Sequence, residues 1–427
     1  MPIRFDDSLG ALVDQVVKYF GEEGLAGGVA LRESSGRLTF FLDAESTAER
    51  LEQASEALRQ ALGVYARPDR VLADRESPGA ARILADPSAT TMDVGGRSVR
   101  LVDRRVVGVD WQESPAPEAS GAARFVFGSL KGGVGRSTAL SVVAVVQAQK
   151  ARNVLVVDLD LEAPGIGSML LSEDRRPRYG ALDFLVESSL GDAGALDLDE
   201  FVGTSALAPG AGLVDVVPVA GTRSEEAPHN YLAKLSRAMT ESVLSAGGRM
   251  SVREKAREMI DRMAGRRPYD LVLIDARAGM AELAAGPLLG LGATTVFLFG
   301  TAQPQTLEAY RYLFAHLSTL RERAPDLPWQ ALKMVHAKAS LSEDEHVTFA
   351  EQLSELFSEF LYDEQDGLEG FNFDIDDRTG PHYPIPIPLD THFHNWDPIR
   401  HTGELTQAYY GATFGALLNE IENRMGA

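Results

Sequence analysis

The apolar residues of this chain follow two rhythms. In the later part, short unbroken runs recur: Phe125-Val126-Phe127, Val154-Leu155-Val156-Val157, Leu271-Val272-Leu273-Ile274 and Val296-Phe297-Leu298-Phe299. Runs of this length, bounded by polar or glycine residues and lacking alternation, predict strands buried on both faces. Ala331 to His336 adds a fifth strand, and Ile385-Pro386-Ile387-Pro388 reads as a late strand end. Between these runs, Ser137 to Lys150 and Gln303 to Leu320 carry the spacing of helices. Strands that alternate with helices predict an α/β fold, a mostly parallel sheet with helices on both faces, and place ligand beyond the carboxyl ends of the strands.

The first part of the chain has a different pattern. Leu9, Leu12, Val13, Val16, Val17 and Phe20 recur at helical spacing, and Gly28 to Leu42 reads as two strands joined at Ser34-Ser35-Gly36. A second helix starts at Thr47 as its N-cap and runs through Leu51, Ala54, Leu58 and Leu62, and Val99 to Trp111 predicts a further strand. These elements define a small α+β domain over residues 1–112, with no motif for chemistry, so a binding or dimer-supporting role is its expected use. Residues 113–121, Glu-Ser-Pro-Ala-Pro-Glu-Ala-Ser-Gly, predict a linker, leaving 122–427 as the α/β domain.

Within the α/β part, Lys131-Gly132-Gly133-Val134-Gly135-Arg136-Ser137-Thr138 lies between a predicted strand and a predicted helix. Glycines there allow the backbone to turn successive N–H groups inward as a nest for phosphate oxygens, and the helix N-terminus adds its own orphan N–H groups and dipole. The hydroxyl of Ser137 is placed to hold Mg²⁺, as the Ser/Thr of a phosphate loop does. Lys131 has no role in an ordinary loop of this kind.

The run K-G-G-V-G-R-S-T resembles the deviant Walker A ATPases, the group of the ParA partition and MinD division-site ATPases. The resemblance implies ATP and Mg²⁺ as ligands, Lys131 reaching across a nucleotide-sandwiched homodimer to the partner's phosphates, and Gly132 to Thr138 cradling the nucleotide. Two departures stand out. Leu130 replaces the glycine or polar residue that often precedes the lysine, and Arg136 takes the place of the usual phosphate-loop lysine. Arginine keeps the charge but is longer and planar, so the exchange bears on turnover more than on binding. Asp158-Leu159-Asp160-Leu161-Glu162-Ala163-Pro164-Gly165 resembles the family's switch I, which makes Asp160 the expected orienter of the attacking water. Leu271 to Ile274 closing on Asp275-Ala276-Arg277-Ala278-Gly279 resembles Walker B and switch II, with Asp275 near Mg²⁺ and Gly279 at the γ-phosphate. Arg277 is unusual there; we read it as a solvated turn residue, with a second phosphate contact as the alternative.

Charge and composition narrow the rest. The net charge of −21 argues against binding DNA through nonspecific phosphate contacts, which calls for a basic surface. The last segment, from Gly403 on, carries Glu404, Glu420 and Glu422 against Arg424, so no basic amphipathic membrane tail is expected. A protein partner is the remaining expectation for such a switch, and the absence of cysteine excludes disulfides, thiolate metal sites and iron–sulfur chemistry. With no signal segment and no long apolar span, the expected location is the cytoplasm.

Residues 222–267 read as a helical insertion, with Val252, Ala256, Met259, Ile260 and Met263 on one face and Arg253, Arg257, Arg262, Arg266 and Arg267 on much of the remainder. A solvated face is the expectation, and a partner-docking arm the alternative. The acidic stretch 343–377 reads as a mobile flap or a docking surface. His392, His394 and His401 near Asp390 and Asp397 fit no zinc spacing and are expected to be ordinary surface residues. Three readings of function result: an ATP-dependent switch that dimerises and recruits a protein, a nucleotide-binding scaffold in which Arg136 has ended turnover, and an ATP-using small-molecule enzyme, for which no second substrate site is visible.

Overall fold

Phe125 and Phe127 point to one face of a strand while Val126 points to the other, and all three are fully buried, so this strand lies at the centre of a sheet covered on both sides. The computed structural model describes residues 3–190, 195–210, 212–243, 249–321, 331–363 and 370–426. The chain divides into two units, one formed by the residues up to Gln112 with a short later piece from Thr319, and one by the rest from Glu113 on.

In the first unit, helix α1 (Phe5–Gly27) precedes strands β1 (Val29–Arg32) and β2 (Leu38–Phe41), then helix α2 (Ala48–Leu62), β3 (Leu72–Ala73), a short α3 (Ala80–Leu84), β4 (Thr90–Asp93) and β5 (Ser98–Asp103). The sheet order is β3-β2-β1-β5-β4, mixed in direction. Leu9, Leu12, Val13 and Val16 of α1 and Ala54, Leu58 and Leu62 of α2 meet Phe40 and Leu101 in one core. Thr47 caps α2, its side chain accepting from the Arg50 N–H. The strand expected over Val99 to Trp111 stops at Asp103, and Asp110 to Gln112 forms a 3₁₀ turn instead.

The second unit starts with β6 (Ala123–Ser129) and α4 (Arg136–Gln149), followed by β7 (Asn153–Asp158), α5 (Ile166–Leu170), α6 (Ala181–Glu187), β8 (Gly203–Thr204) and β9 (Leu213–Val217). Next come α7 (Thr222–Glu226), α8 (Tyr231–Ala238), a two-stranded ribbon of β10 (Ser242–Val243) and β11 (Arg249–Met250), α9 (Val252–Ala264) and β12 (Leu271–Ala278). The remainder is α10 (Glu282–Ala285), β13 (Thr295–Gly300), α11 (Pro304–Thr319), β14 (Leu332–Ala339), α12 (Glu343–Phe360), β15 (Ile385–Pro388) and α13 (Gln407–Gly426). The strands order as β15-β14-β13-β6-β12-β7-β9-β8, and every neighbouring pair is parallel except β8 with β9. This is the mostly parallel α/β sheet the sequence predicts. Because β12 lies between β6 and β7, the loops after these three strands gather at one carboxyl-terminal edge.

One face of the sheet packs against α4, α5 and α13. Val142, Val143, Val146, Phe414, Leu417 and Ile421 share a core there with Phe125, Phe127, Val154, Val156 and Leu273. On the other face, a Cβ built on Gly300 would meet Thr306 and Tyr310 of α11 and Phe349 of α12, so these helices cover that side. Helix α13 therefore spends its apolar residues on the core. No helix among the described residues is long and apolar enough to cross a membrane.

Three segments differ from the pattern-based expectation. Residues 113–121 lie along the second unit: the Ala116 N–H donates to Leu289 O and the Ala119 N–H to Gly292 O. Much of the acidic stretch 343–377 is α12, which buries Phe349, Leu353, Leu356 and Phe357 and turns its carboxylates outward; part of the stretch, 364–369, lies outside the described residues. Helix α9 buries Met259, Ile260 and Met263 completely, and its arginines serve the chain itself. Arg253 pairs with Glu113, Arg266 with Asp199, and Arg267 lies 3.3 Å from the buried carboxylate of Asp215. Arg262 stacks over the Phe184 ring, and Arg257 lies 3.9 Å from Asp261 on the same helix. Part of 222–267, residues 244–248, lies outside the described residues.

Candidate nucleotide site

Strand β6 delivers the chain to the edge of the sheet, and the loop that follows turns back into α4. Gly133 (φ 72°) and Gly135 (φ 87°) take left-handed backbone conformations that side chains with a Cβ adopt only under strain. A Cβ added at Gly132, Gly133 or Gly135 would meet no atom within 4 Å, so the concave side of the loop is open. The Ser129 hydroxyl donates to Lys131 O at 2.6 Å and pins the entry of the loop. Val134 is buried beneath it, and Thr138 lies on the first turn of α4 facing a cleft. At the far rim, Lys131 Nζ donates to Gln305 Oε1 of α11 at 3.2 Å.

The carboxylates of β7 and β12 meet below this loop. Asp158 and Asp275 are register partners on adjacent strands, and both are fully buried. Asp158 accepts the backbone N–H groups of Asp160, Gly165 and Ile166 at 3.1, 3.2 and 3.1 Å, so it ties the segment after β7 into a fixed loop. Burial and the neighbouring Asp275 charge push its carboxyl well above the usual carboxylate range. Asp275 accepts from the Ser137 hydroxyl through Oδ2 at 2.6 Å, while its Oδ1 is buried with no hydrogen-bond partner among the described residues. An orphaned buried carboxylate oxygen is costly, and a hard cation satisfies it. A hydroxyl oxygen and a carboxylate oxygen at the foot of a phosphate loop form a donor set that fits Mg²⁺.

The electrostatics of Asp275 make a testable statement. Burial raises it to about 6, against the pull of the Arg136 charge and the Ser137 hydroxyl. A carboxyl raised in the folded state favours the protonated protein, so this contribution to stability is present at low pH and is lost as pH climbs from about 4 through about 6. Asp275→Asn removes the buried charge at neutral pH. It should raise the melting temperature of the metal-free protein at pH 7.5, on the order of 5 °C, flatten the stability loss between pH 4 and 6, and abolish stabilisation by Mg²⁺ and ATP; thermal denaturation with and without Mg-ATP checks all three.

Two arginines tie the segment after β7 to the site. Arg136, the first residue of α4, is buried; its Nη1 donates to the carbonyl of Ala276 on β12 and its Nη2 to Asp160 Oδ2 at 3.3 Å. Burial raises the Asp160 carboxyl, with Arg136 and then Arg277 opposing. Arg277 pairs with Glu162 Oε1, so the solvated turn residue expected from the sequence is tied to the segment after β7. The Gly279 N–H donates to Ser129 O at 2.9 Å and holds the end of β12 beside the phosphate loop, with φ of 97°. Lys131, Arg136, Ser137, Asp160, Asp275 and Gly279 thus converge from three separate stretches of sequence.

A cleft of about 80 Å³ opens beside Gly135 and Thr138, lined on its other side by Lys338, Ile387, Pro388, Asp390, Phe393, His394 and Thr413. It is smaller than a typical ligand pocket, and Phe393 and Pro388 give it apolar walls. Ile387 and Pro388 fall at the late strand end that the sequence marks, and Asp390 and His394 in the histidine cluster it marks, whereas Lys338, Phe393 and Thr413 carry no pattern that singles them out. Asp390 accepts from Thr413 Oγ1 at 2.7 Å and from His392 Nδ1 at 2.8 Å. Among the described residues, no group of three or more His, Asp or Glu side chains gathers as a metal site of its own.

No protein-family model and no curated protein matches the chain. Among solved structures, a ParA family ATPase from Chlorobium tepidum TLS is similar at 15% identity and a TM-score of 0.40, over 70% of this chain and 99% of that one. An McdA–ATP complex from Cyanothece is similar at 12% identity and a TM-score of 0.42, over 72% and 98%. The septum site-determining protein MinD with Mg-ADP from Pyrococcus horikoshii OT3 matches at 20% identity and a TM-score of 0.35, over 52% and 72%. At these values the fold rests on strand order and loop geometry rather than on the likeness. The second unit has an α/β fold, a mostly parallel sheet with a glycine loop between its central strand β6 and helix α4.

Proposed function

We propose that the chain is an ATP-binding molecular switch of the ParA/MinD kind, which turns ATP over slowly, dimerises around two nucleotides and presents a surface to a protein partner. The observation that carries the ATP reading is the Ser137–Asp275 pair, with one orphaned carboxylate oxygen, at the foot of an open glycine loop. The backbone N–H groups from Gly132 to Thr138 cradle the phosphates, and Gly279, which has no Cβ, lets the γ-phosphate approach the end of β12. Ser137 and Asp275 would hold Mg²⁺, which when bound neutralises phosphate charge. The base lies against the late strand end at Pro388, at the mouth of the small cleft beside Thr138.

Asp160 accepts a hydrogen bond from the attacking water and orients it. Its raised pKa places it nearer to the proton it must share, which suits a weak general base. Arg136 is committed to Asp160 and Ala276 rather than standing clear over the loop, and this favours the scaffold as the second reading. Phosphate release by the wild-type chain separates the two: turnover above background supports the switch, and none with or without candidate partners supports the scaffold.

Lys131 tests the dimer. It sits on the rim, and its hydrogen bond to Gln305 is a modest tether. Lys131→Ala should leave ATP affinity of the monomer within about threefold while abolishing ATP-dependent dimerisation, read by light scattering with a nonhydrolysable analogue. Wild-type protein that stays monomeric with nucleotide at every concentration contradicts the sandwich. The net charge of −21 supports a protein as the recruited partner.

A further inference from the structure

Two arginines fasten the segment after β7 to the end of β12. Arg136 holds Asp160, and Arg277 holds Glu162. The two pairs differ in a way that decides what each can do. Arg136 and Asp160 side chains are 7% and 12% exposed, so neither can lose its partner without leaving a buried charge. Arg277 and Glu162 are 24% and 38% exposed, and a partly solvated pair of this kind is weak and exchangeable.

Position favours exchange for Arg277. It lies where the β12–β6 register shifts, between Asp275 and Ala278, so its backbone has left the regular ladder. Two residues further on, the Gly279 N–H is bound to Ser129 O, which fixes this turn against the entry of the phosphate loop. Arg277 also acts on Asp160, the second charge opposing that carboxyl's rise, so its charge is felt inside the site. A phosphate offers a guanidinium more acceptor oxygens and more charge than a single carboxylate does.

We propose that Arg277 is a γ-phosphate sensor whose resting partner is Glu162: a terminal phosphoryl group beyond Gly279 takes Arg277 from Glu162 and releases residues 162–164, while Arg136 stays behind as the positioning residue for Asp160. The proposal rests on the ATP reading of the site. It gives the segment after β7 two states, fastened without a γ-phosphate and released with one, and it leaves ADP unable to drive the change because ADP carries no group at that place. Asp158 remains the hinge point, since its bonds to the Asp160, Gly165 and Ile166 N–H groups involve neither arginine.

Calorimetry of ADP and of a nonhydrolysable ATP analogue, on wild type, Arg277→Gln and Glu162→Gln, tests this, with hydrogen exchange of the peptide spanning 159–166 as the second readout. Arg277→Gln should weaken the analogue about tenfold and ADP less than twofold, and Glu162→Gln should tighten the analogue about threefold. In wild type the analogue, but not ADP, should speed exchange at residues 162 and 163, and in Glu162→Gln that exchange should be fast without nucleotide. Equal weakening of both nucleotides by Arg277→Gln, or no weakening of either, overturns the sensor and leaves the ATP reading standing. Wild type that binds neither nucleotide overturns the ATP reading and the sensor with it.

Discussion

Gly135→Val should weaken Mg-ATP binding by about a hundredfold or more while the chain stays folded. Gly135 caps the start of α4 at φ 87°, a conformation that a β-branched residue does not adopt without strain. A Cβ there would meet no atom within 4 Å, so the damage comes first through the backbone. The loop must re-fold to relieve it, which turns the Gly133 to Ser137 N–H groups away from a common centre and moves Ser137 off Asp275. Hydrogen bonds to a charged group contribute about 1.5–3 kcal/mol each, so losing two of them accounts for the factor. Circular dichroism with equilibrium dialysis of labelled ATP checks both halves: the folded signal persists and the nucleotide does not bind.

The second large effect is on turnover. Asp160→Ala should lower it by roughly a hundredfold or more with ATP affinity little changed, because an orienting carboxylate acts mainly in the transition state. The substitution also strips Arg136 of its carboxylate partner in a buried place, which costs stability independently of chemistry. Asp160→Asn separates the two consequences. It keeps an acceptor oxygen for Arg136, so the melting temperature should fall less than in the alanine variant, while turnover falls as far. Single-turnover phosphate release and thermal denaturation on the same two variants provide the comparison.

Much of the site was legible because its chemistry is local. The glycine loop, Ser137, Asp160 just after β7 and Asp275 within β12 each announce themselves through a short run, and the parallel sheet follows from the unbroken apolar runs that must be buried on both faces. What escaped depends on tertiary partners. Strand β9 hides behind Asp215, a carboxylate that reads as a break but lies fully buried, bonded by Thr204 at 2.6 Å and Tyr269 at 2.7 Å. Helix α12 looks like an acidic flap until its Phe349, Leu353 and Phe357 spacing is weighed against its charge. The inward course of Arg136 and the Arg277–Glu162 pair have no sequence signal, since an arginine's partner is set by where distant strands end. Asp158 carried one: an aspartate two residues before another at a strand end is placed to accept the N–H groups of the turn that follows.

If residues 131–138 with Asp275 bind Mg-ATP, titration calorimetry of ATP into the wild-type chain and into Ser137→Ala, each with and without Mg²⁺, shows it. Wild type should bind one ATP per chain, with affinity rising on addition of Mg²⁺, and in Ser137→Ala the Mg²⁺ enhancement should be gone. Wild type that gives no saturable heat, or a Ser137→Ala variant with the same affinity and the same Mg²⁺ dependence as wild type, would contradict it.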